Sequence, residues 1–266
     1  DLMVVIDNPE NAFELNSAAK MASIKLKVLI DVDPGMGRTG VPFDGALDFG
    51  AIVNSLNYLE LCGIQCYFGT VQHVADYQAR KERSLQVMRR AAELKNAFIN
   101  NGFKCNILTG GGTGTFDIDC QVLEVTDLQV GSYCVMDAEY AAVGLGDNPD
   151  GFRVFEPALS VLTSVVSVNR DDFVTVDAGL KAIYYTPHAP PRVLDPAISG
   201  FKYDWFGDEH GKLLIQTPCL KPILNTRIRL SASHCDPTVN LYDCYHVVSG
   251  GRVIDIWPID LRGHCR

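Results

Sequence analysis

The first half of the chain alternates short apolar runs with longer segments in which apolar and polar residues recur at helical spacing. The runs predict strands, and the longer segments predict helices. The predicted strands are Val4–Asp7, Val28–Asp33, Ile64–Phe68, Cys105–Thr109 and Val122–Gln129. The predicted helices are Asn8–Ala22, Asp44–Cys62 and Asp76–Asn101, with Asn8 as a candidate N-cap and Gly102 as the end of the last helix. Repeated strand–helix units with continuously apolar strands predict a parallel sheet covered by helices, either a barrel or an open sheet.

Near residue 155 the pattern changes to strands joined by turns that contain Pro and Gly. The predicted strands are Leu159–Val168, Phe173–Val176, Leu213–Gln216, Arg227–Leu230, Tyr245–Val248 and Val253–Trp257. Ser249–Arg252 contains two adjacent glycines and predicts a tight hairpin turn. The second half is therefore expected to be a mostly antiparallel β domain, which gives two domains at residues 1–155 and 156–266.

Composition narrows the classes of partner. Hydrophobic residues make up 47% of the 266 residues and charged residues 21%, so the chain can bury a sizeable core. A net charge of −9 argues against a protein that binds nucleic acid through its charge. The longest apolar stretches, such as residues 158–168, are too short and too interrupted to cross a bilayer. The expected partner is a small molecule or another protein.

The nine cysteines include no C-x-x-C pair, so neither a zinc ribbon nor a thioredoxin motif is predicted. We expect most of them to be reduced core thiols, because a disulfide framework is unusual in a chain of this size. This expectation places the protein in a reducing compartment, the cytoplasm or an organelle interior, and not outside the cell.

A glycine-rich segment follows the fourth predicted strand directly. In Thr109–Thr115, three consecutive glycines would let backbone N–H groups approach an anion, and the Thr113 hydroxyl adds a donor. The segment matches neither the Walker A pattern nor the dinucleotide pattern. It predicts a phosphate site at the C-terminal mouth of a barrel, and the alternative is a flexible turn. Gly131 and Ser132, after the next strand, could offer two more donors.

The ends of two other predicted strands also carry side chains that could act in a functional site. Arg38 follows a glycine turn, and its planar guanidinium can hold a phenolate or carboxylate oxygen. Tyr67 and His73 flank the end of the third strand. Since strand ends of a parallel sheet meet at one edge, these three residues predict a single site built from the loops that follow the strands.

The tetrapeptide His234–Pro237 suggests a metal site. If the backbone is extended, His234 and Asp236 point to the same face and Cys235 points away. An imidazole and a carboxylate suit a divalent cation with water ligands, and the alternative is a hydrogen-bonded pair. Asp208–Gly211 is a second acidic and imidazole cluster, which is either part of a site or a solvated turn.

Taken in order, several segments resemble one known family. Ile30–Val41 resembles the strand and turn of alanine-racemase-like, fold-type III pyridoxal-phosphate enzymes. The resemblance narrows to the D-threonine aldolase and D-serine dehydratase family through Thr109–Phe116, Gln129–Asp137, Val176–Lys181, Asp208–Gly211, His234–Asp243, Trp257–Pro258 and Arg262–Gly263. It implies an α/β fold, the C-terminal part of a TIM-like (β/α)8 barrel followed by a mostly antiparallel β domain, in a homodimer whose site lies near the interface.

The resemblance also implies that pyridoxal 5'-phosphate binds at the barrel mouth. Arg38 matches the family arginine that contacts the phenolic oxygen of the cofactor, and Tyr67 matches a tyrosine that contacts the cofactor. The family residues that contact the phosphate or the ring of the cofactor are matched in this chain by Thr113, Gly131 and Ser132.

For the metal, His234 matches the histidine ligand. At the next ligand position the dehydratases have Cys, whereas this chain has Asp236, as the aldolases do. The carboxylate favours a divalent cation such as Mn²⁺, with Mg²⁺ or Zn²⁺ as alternatives, over a zinc ion held by a thiolate. His73 matches the aldolase histidine near the substrate hydroxyl, so Arg38 and His73 are the expected catalytic residues.

The implied activity is cleavage of D-threonine and other β-hydroxy-D-amino acids to glycine and an aldehyde. One family feature is absent, because no lysine lies in the Pro-His-x-Lys-Thr-His-like segment where the family has its Schiff-base lysine. We therefore expect about half a barrel here, completed by an N-terminal segment or another chain. The alternatives are a D-serine or 3-hydroxyaspartate dehydratase and a catalytically inactive protein that binds the cofactor.

Overall fold

A computed structural model describes residues 2–146, 148, 151–152, 154–196, 200–216 and 221–264. The chain divides into two compact units, Asp1–Gly131 and Ser132–Arg266, and each is described by itself below. The boundary predicted between residues 155 and 156 falls inside the second unit, and the domain division there stays a prediction. In the part of the chain that the structure describes, no helix is both long enough and apolar enough to cross a membrane.

The first unit is a five-stranded parallel sheet with its strands in chain order. The strands are β1 (Met3–Ile6), β2 (Leu26–Asp31), β3 (Leu59–Cys66), β4 (Ile107–Gly110) and β5 (Asp127–Leu128). The helices are α1 (Pro9–Met21), α2 (Ala46–Asn54), α3 (Tyr77–Asn100) and α4 (Phe116–Asp119). Within the described residues this sheet is open and not a closed barrel, which confirms the expectation of a partial barrel.

Two predicted helix starts are confirmed in detail. The Asn8 side chain accepts hydrogen bonds from the N–H groups of Glu10 and Asn11, at 2.8 and 3.2 Å, and Pro9 opens α1. Asp76 accepts from the N–H group of Ala79 at 2.7 Å and caps α3. These side chains satisfy first-turn donors that have no partner within a helix.

The predicted helix over Asp44–Cys62 is wrong in its second half. A 3₁₀ turn over Phe43–Gly45 leads into α2, which ends at Asn54, and residues 59–66 form β3. An apolar run of this kind suits a buried strand as well as a helix, so the hydrophobic pattern could not locate the boundary. The predicted strand over Val122–Gln129 is likewise reduced to the two residues of β5.

An irregularity in β3 changes which side chains face the helices. The register with β2 pairs Val28 with Leu61 but Leu29 with Gly63, so Cys62 is an extra residue in β3. Leu59 and Leu61 before the shift, and Ile64 and Cys66 after it, all belong to the core packed beneath the helices. Gly63 allows the close approach of β4, because a Cβ there would lie 2.0 Å from the Ile107 carbonyl oxygen.

The second unit contains a six-stranded sheet in which every neighbouring pair is antiparallel, as predicted. Its spatial order is β8-β11-β6-β7-β10-β9, and β12 and β13 form a separate hairpin. The strands are β6 (Val161–Ser167), β7 (Phe173–Val176), β8 (Arg192–Val193), β9 (Phe201–Trp205), β10 (Gly211–Ile215), β11 (Arg227–Ser231), β12 (Cys244–Ser249) and β13 (Arg252–Pro258). The sequence analysis missed β8 and β9. The α-helices in the described part of the unit are α5 (Ala138–Ala141) and α6 (Cys235–Val239).

We expect Gly63→Ala to lower the free energy of unfolding by about 1–3 kcal/mol, because the added methyl group would overlap the β4 backbone. The control is Gly45→Ala, where nothing lies within 4 Å of the added carbon and the backbone is helical. That change should alter the free energy of unfolding by less than about 1 kcal/mol. Denaturant titration of both variants measures the difference, and equal effects would contradict the role of Gly63.

Candidate functional site

The loop after β2 is held by one carboxylate. Asp33 accepts hydrogen bonds from the N–H groups of Gly35, Met36 and Gly37, at 2.9, 2.8 and 3.2 Å. Burial opposes ionisation of Asp33, but the three donors outweigh it and hold its pKa below the ordinary value. The loop is thereby fixed immediately before Arg38.

Arg38 follows β2 and Tyr67 follows β3, and the two side chains lie together in the first unit, as predicted from the shared edge of the sheet. The Arg38 guanidinium carbon lies 5.3 Å from the centre of the Tyr67 ring, which is a cation–π distance. The two loops are also joined by a contact at 3.0 Å between the Gly69 N–H group and the Met36 sulfur. The cationic group is therefore positioned by both loops.

His73 lies in the same loop as Tyr67. A 3₁₀ turn over Gly69–Val71 follows β3, and the exposed side chain of His73 comes two residues after it. Gln72, between the turn and His73, is 1% exposed. The loop thus presents His73 at the surface and anchors itself through Gln72.

The glycine loop after β4 contains the predicted phosphate site. The Gly112 N–H group donates to the Thr115 hydroxyl at 3.3 Å, and the Gly114 N–H group donates to Gln72 Oε1 at 3.0 Å. Both N–H groups have partners within the first unit, and the binding of an anion by this loop stays a prediction. Thr113, which is buried at 2% exposure, remains the candidate for the phosphate in this loop.

The other two phosphate candidates fall at the division between the units. Gly131 ends the first unit and is exposed, and a Cβ added there would meet nothing within 4 Å. Ser132 begins the second unit, is buried, and opens a 3₁₀ turn over Ser132–Cys134.

The backbone around His234 is not the predicted extended strand. His234 is extended and precedes α6, but Asp236 and Pro237 are helical residues of its first turn. Proline is accepted in a first turn because its missing N–H group has no partner in the helix there. The strand rule that placed His234 and Asp236 on one face therefore does not apply, and the Asp236 side chain is exposed.

Asp137 is the principal partner of His234, and the sequence analysis did not identify it. Its Oδ2 atom lies 2.8 Å from His234 Nδ1 and accepts from the Cys235 N–H group at 3.1 Å. Its Oδ1 atom accepts from the Tyr140 N–H group at 2.9 Å, which caps α5. An aspartate at position 137, just before a short helix, could have been predicted as an N-cap from the sequence. No sequence pattern indicated that it would also contact His234.

Electrostatics within this pair stabilise the charged forms. Burial raises the pKa of Asp137, but the hydrogen bonds from His234, Tyr140 and Cys235 outweigh it and hold the pKa below the ordinary 3.8. The hydrogen bond to Asp137 raises the pKa of His234 above 6.5, against the opposing effect of burial. The stabilisation from Asp137 is lost as the pH falls through its lowered pKa, and that from His234 is lost as the pH rises through its raised pKa. Both contributions are present between pH 3.8 and 6.5.

Three possible ligand atoms, one each from Asp137, His234 and Cys235, lie within 4.8 Å of one another. The expectation that Cys235 points away from the histidine is therefore wrong. Burial raises the pKa of the Cys235 thiol to about 12, so the thiol is protonated in the absence of a cation. Both oxygens of Asp137 already accept hydrogen bonds. A carboxylate bonded to one ring nitrogen is the arrangement that commonly orients a histidine that binds a metal.

The acidic and imidazole residues of the cluster Asp208–Gly211 lie in the turn between β9 and β10, and Gly211 begins β10. Asp208, Glu209 and His210 are exposed, and Glu209 pairs with the exposed Lys181. This environment favours the solvated turn over a role in a site.

Comparison with known families and structures gives a consistent result. A family model described as the N-terminal domain of alanine racemase matches residues 1–138, and one described as a putative serine dehydratase domain matches residues 158–248. A D-threonine aldolase from an Arthrobacter species is 36% identical over 266 residues, which are 100% of this chain and 68% of that protein. A 3-hydroxy-D-aspartate aldolase from Paracoccus denitrificans is 32% identical over 265 residues, which are 98% of this chain and 66% of that protein.

A solved structure agrees with these relatives. The crystal structure of D-threonine aldolase from Filomicrobium marinum superposes with a TM-score of 0.92 at 33% identity, covering 99% of this chain and 71% of that one. The chain thus spans about two thirds of the length of the curated relatives that it matches.

We expect the imidazole of His234 to titrate above 6.5 and Asp137→Asn to lower its pKa, because the Asp137 hydrogen bond is the largest cause of the rise. NMR of the ring protons against pH measures both. The matched control is Asp236→Asn, since Asp236 is the weakest of the acidic neighbours that raise the pKa. Equal changes in the two variants would show that Asp137 has no special role.

Proposed function

The chain belongs to the D-threonine aldolase family, and from this premise we propose that it acts in a lyase that depends on pyridoxal 5'-phosphate and a divalent metal. The reaction is cleavage of D-threonine and other β-hydroxy-D-amino acids to glycine and an aldehyde. The observation that best supports the proposal is the orientation of His234 by the buried Asp137, because a carboxylate commonly orients a histidine that binds a metal.

The residues assigned to the cofactor supply a cation and hydrogen-bond donors, which suit its negatively charged oxygens. Arg38 is a permanent cation, fixed against Tyr67, that can bind the phenolic oxygen of the cofactor. Thr113, Gly131 and Ser132 are assigned to its phosphate or ring. The cofactor supplies an electron sink that lowers the cost of breaking the Cα–Cβ bond.

The metal residues favour a hard or borderline cation. His234 would bind through Nε2 and Asp236 through its carboxylate, with Mn²⁺ as the proposed ion and Mg²⁺ or Zn²⁺ as alternatives. The carboxylate of Asp236, at the position where the dehydratases have Cys, favours such an ion over a zinc ion held by a thiolate. A divalent cation makes a bound hydroxyl more acidic.

His73 is assigned to the proton of the substrate hydroxyl. A neutral imidazole nitrogen can accept that proton as the Cα–Cβ bond breaks, and the exposed position of His73 gives a substrate access to it. Arg38 supports the same step by holding negative charge on the cofactor oxygen.

The assembly is part of the proposal. We include a homodimer and further strands that complete the parallel sheet, for which the additional third of the relatives' length leaves room. The seven cysteines in the described part of the chain are free thiols, which supports a reducing compartment.

Dehydration is the second candidate, because a match to a putative serine dehydratase domain covers residues 158–248. With D-threonine, pyridoxal 5'-phosphate and Mn²⁺, we expect the protein to release glycine and acetaldehyde in equal amounts. A dehydratase would instead release ammonia and 2-oxobutanoate. Chromatography of the products separates the two reactions, and L-threonine is the stereochemical control. A protein that binds the cofactor and releases none of these products would support the inactive alternative.

For the metal, we expect chelation to abolish cleavage and Mn²⁺ to restore it. His234→Ala should prevent that restoration, and Asp137→Asn should weaken Mn²⁺ binding by about 10–100-fold because the imidazole loses its orienting carboxylate. The control is His246→Ala, which removes an exposed imidazole of β12. Binding of Mn²⁺ followed by electron paramagnetic resonance measures the affinity, and an unchanged affinity in His234→Ala would rule out this site.

A further inference from the structure

Gln72 joins two loops of the first unit through a buried carboxamide. Its Nε2 group donates to the Phe68 carbonyl oxygen at 3.2 Å and to the Thr115 hydroxyl at 3.0 Å. Its Oε1 atom accepts from the Gly114 N–H group at 3.0 Å. Phe68 belongs to the loop after β3, whereas Gly114 and Thr115 belong to the loop after β4. One side chain, 1% exposed, therefore holds both loops.

We infer that Gln72 is a positioning residue that couples His73 to the loop carrying Thr113. The inference rests on the proposed function, in which His73 acts on the substrate hydroxyl and Thr113 contacts the cofactor phosphate. His73 follows Gln72 directly in the chain, so the hydrogen bonds that hold the Gln72 carboxamide also restrict the backbone from which His73 projects. One of these hydrogen bonds comes from Gly114, which follows Thr113.

The space around Gln72 leaves the glycine loop little freedom. A Cβ at Gly112 would lie 2.7 Å from Gln72 Oε1, and a Cβ at Gly114 would lie 2.1 Å from the Gln72 carbonyl oxygen. The loop can follow Gln72 this closely because both residues are glycines. These close approaches, together with the two hydrogen bonds to Gly114 and Thr115, fix the position of the loop relative to Gln72.

Further buried groups hold the glycine loop from other directions. Arg80 donates to the Gly114 carbonyl oxygen at 2.8 Å, and Asp119 accepts from the hydroxyls of Thr115 and Ser84. These groups fix the loop to α3 and α4, and Arg80 also donates to the Val74 and Ala75 carbonyl oxygens in the part of the β3–α3 loop that follows His73. Among the hydrogen bonds described, the link from the glycine loop to the Phe68 carbonyl runs through Gln72.

The Gln72 carboxamide both donates and accepts at this position. Gln72→Glu keeps an acceptor for the Gly114 N–H group but loses the donor to Phe68 and sets a negative oxygen against that carbonyl. Gln72→Met keeps the length of the side chain and loses both functions. The two variants therefore separate the acceptor from the donor.

The test measures cofactor affinity and the pH dependence of cleavage in the same variants. We expect Gln72→Met to weaken pyridoxal 5'-phosphate binding in equilibrium dialysis by about tenfold, as the loss of one or two buried hydrogen bonds implies. The pH profile of kcat should shift in the same variant, because His73 changes its surroundings. Hydrogen exchange at the Gly114 amide, measured without cofactor, should speed up. Gln72→Glu should show a smaller change in that exchange and a similar shift in the pH profile.

The control is Gln86→Met, which makes the same change at an exposed position of α3 and should leave all three measurements unchanged. A purely structural role would lower Tm in the Gln72 variants and leave cofactor affinity and the pH profile as they are, which would overturn the inference. A change in cofactor affinity without a change in the pH profile, or the reverse, would also overturn it, because the two loops would then not be coupled. A wild-type protein that binds no cofactor would overturn the proposed function, whereas a binding wild type with unaffected variants would overturn only the role of Gln72.

Discussion

The buried guanidinium of Arg80 is the group on which the loops of the first unit depend. Its side chain is 0% exposed, and a charge without solvent is tolerated only when protein groups replace the lost water. Carbonyl oxygens of Val74, Ala75 and Gly114 provide that replacement. Their positions are therefore dictated by the charge, and the loops after β3 and β4 meet around it. Gln72 adds a neutral link at the same junction.

The second unit uses a buried carboxylate for the same purpose. Asp137 binds the imidazole of His234 and the N–H groups of Tyr140 and Cys235, which belong to two segments far apart in the chain. Each unit thus has an ionised group in its interior that orders a loop bearing a candidate site residue. Burying an ionised group costs free energy unless all its hydrogen-bond partners are in place. A loop that supplies those partners is therefore held in one geometry.

Features decided by adjacent residues could be predicted from the sequence. The Asn8 cap and the turn at Gly250 and Gly251, both with positive φ, follow from neighbouring residues alone. The conjunction of Arg38 with Tyr67 also followed, because parallel strand ends share an edge. The partner of His234 did not, since 97 residues separate it from Asp137 and only tertiary folding brings them together. At Asp236 the proline allowed both an extended and a helical backbone, and the local pattern favoured the wrong one.

The extra residue in β3 has an implication for how this strand changes during evolution. Because the alternation of inward and outward side chains switches phase at Cys62, the two halves of the strand reach the same core with opposite parity. Deleting Cys62 would remove the extra residue and restore a regular alternation in which Leu61, Ile64 and Cys66 still face the core. We expect related sequences to lose one residue at Cys62 more readily than elsewhere in the strand, where a deletion would turn the side chains on one side of it to the opposite face.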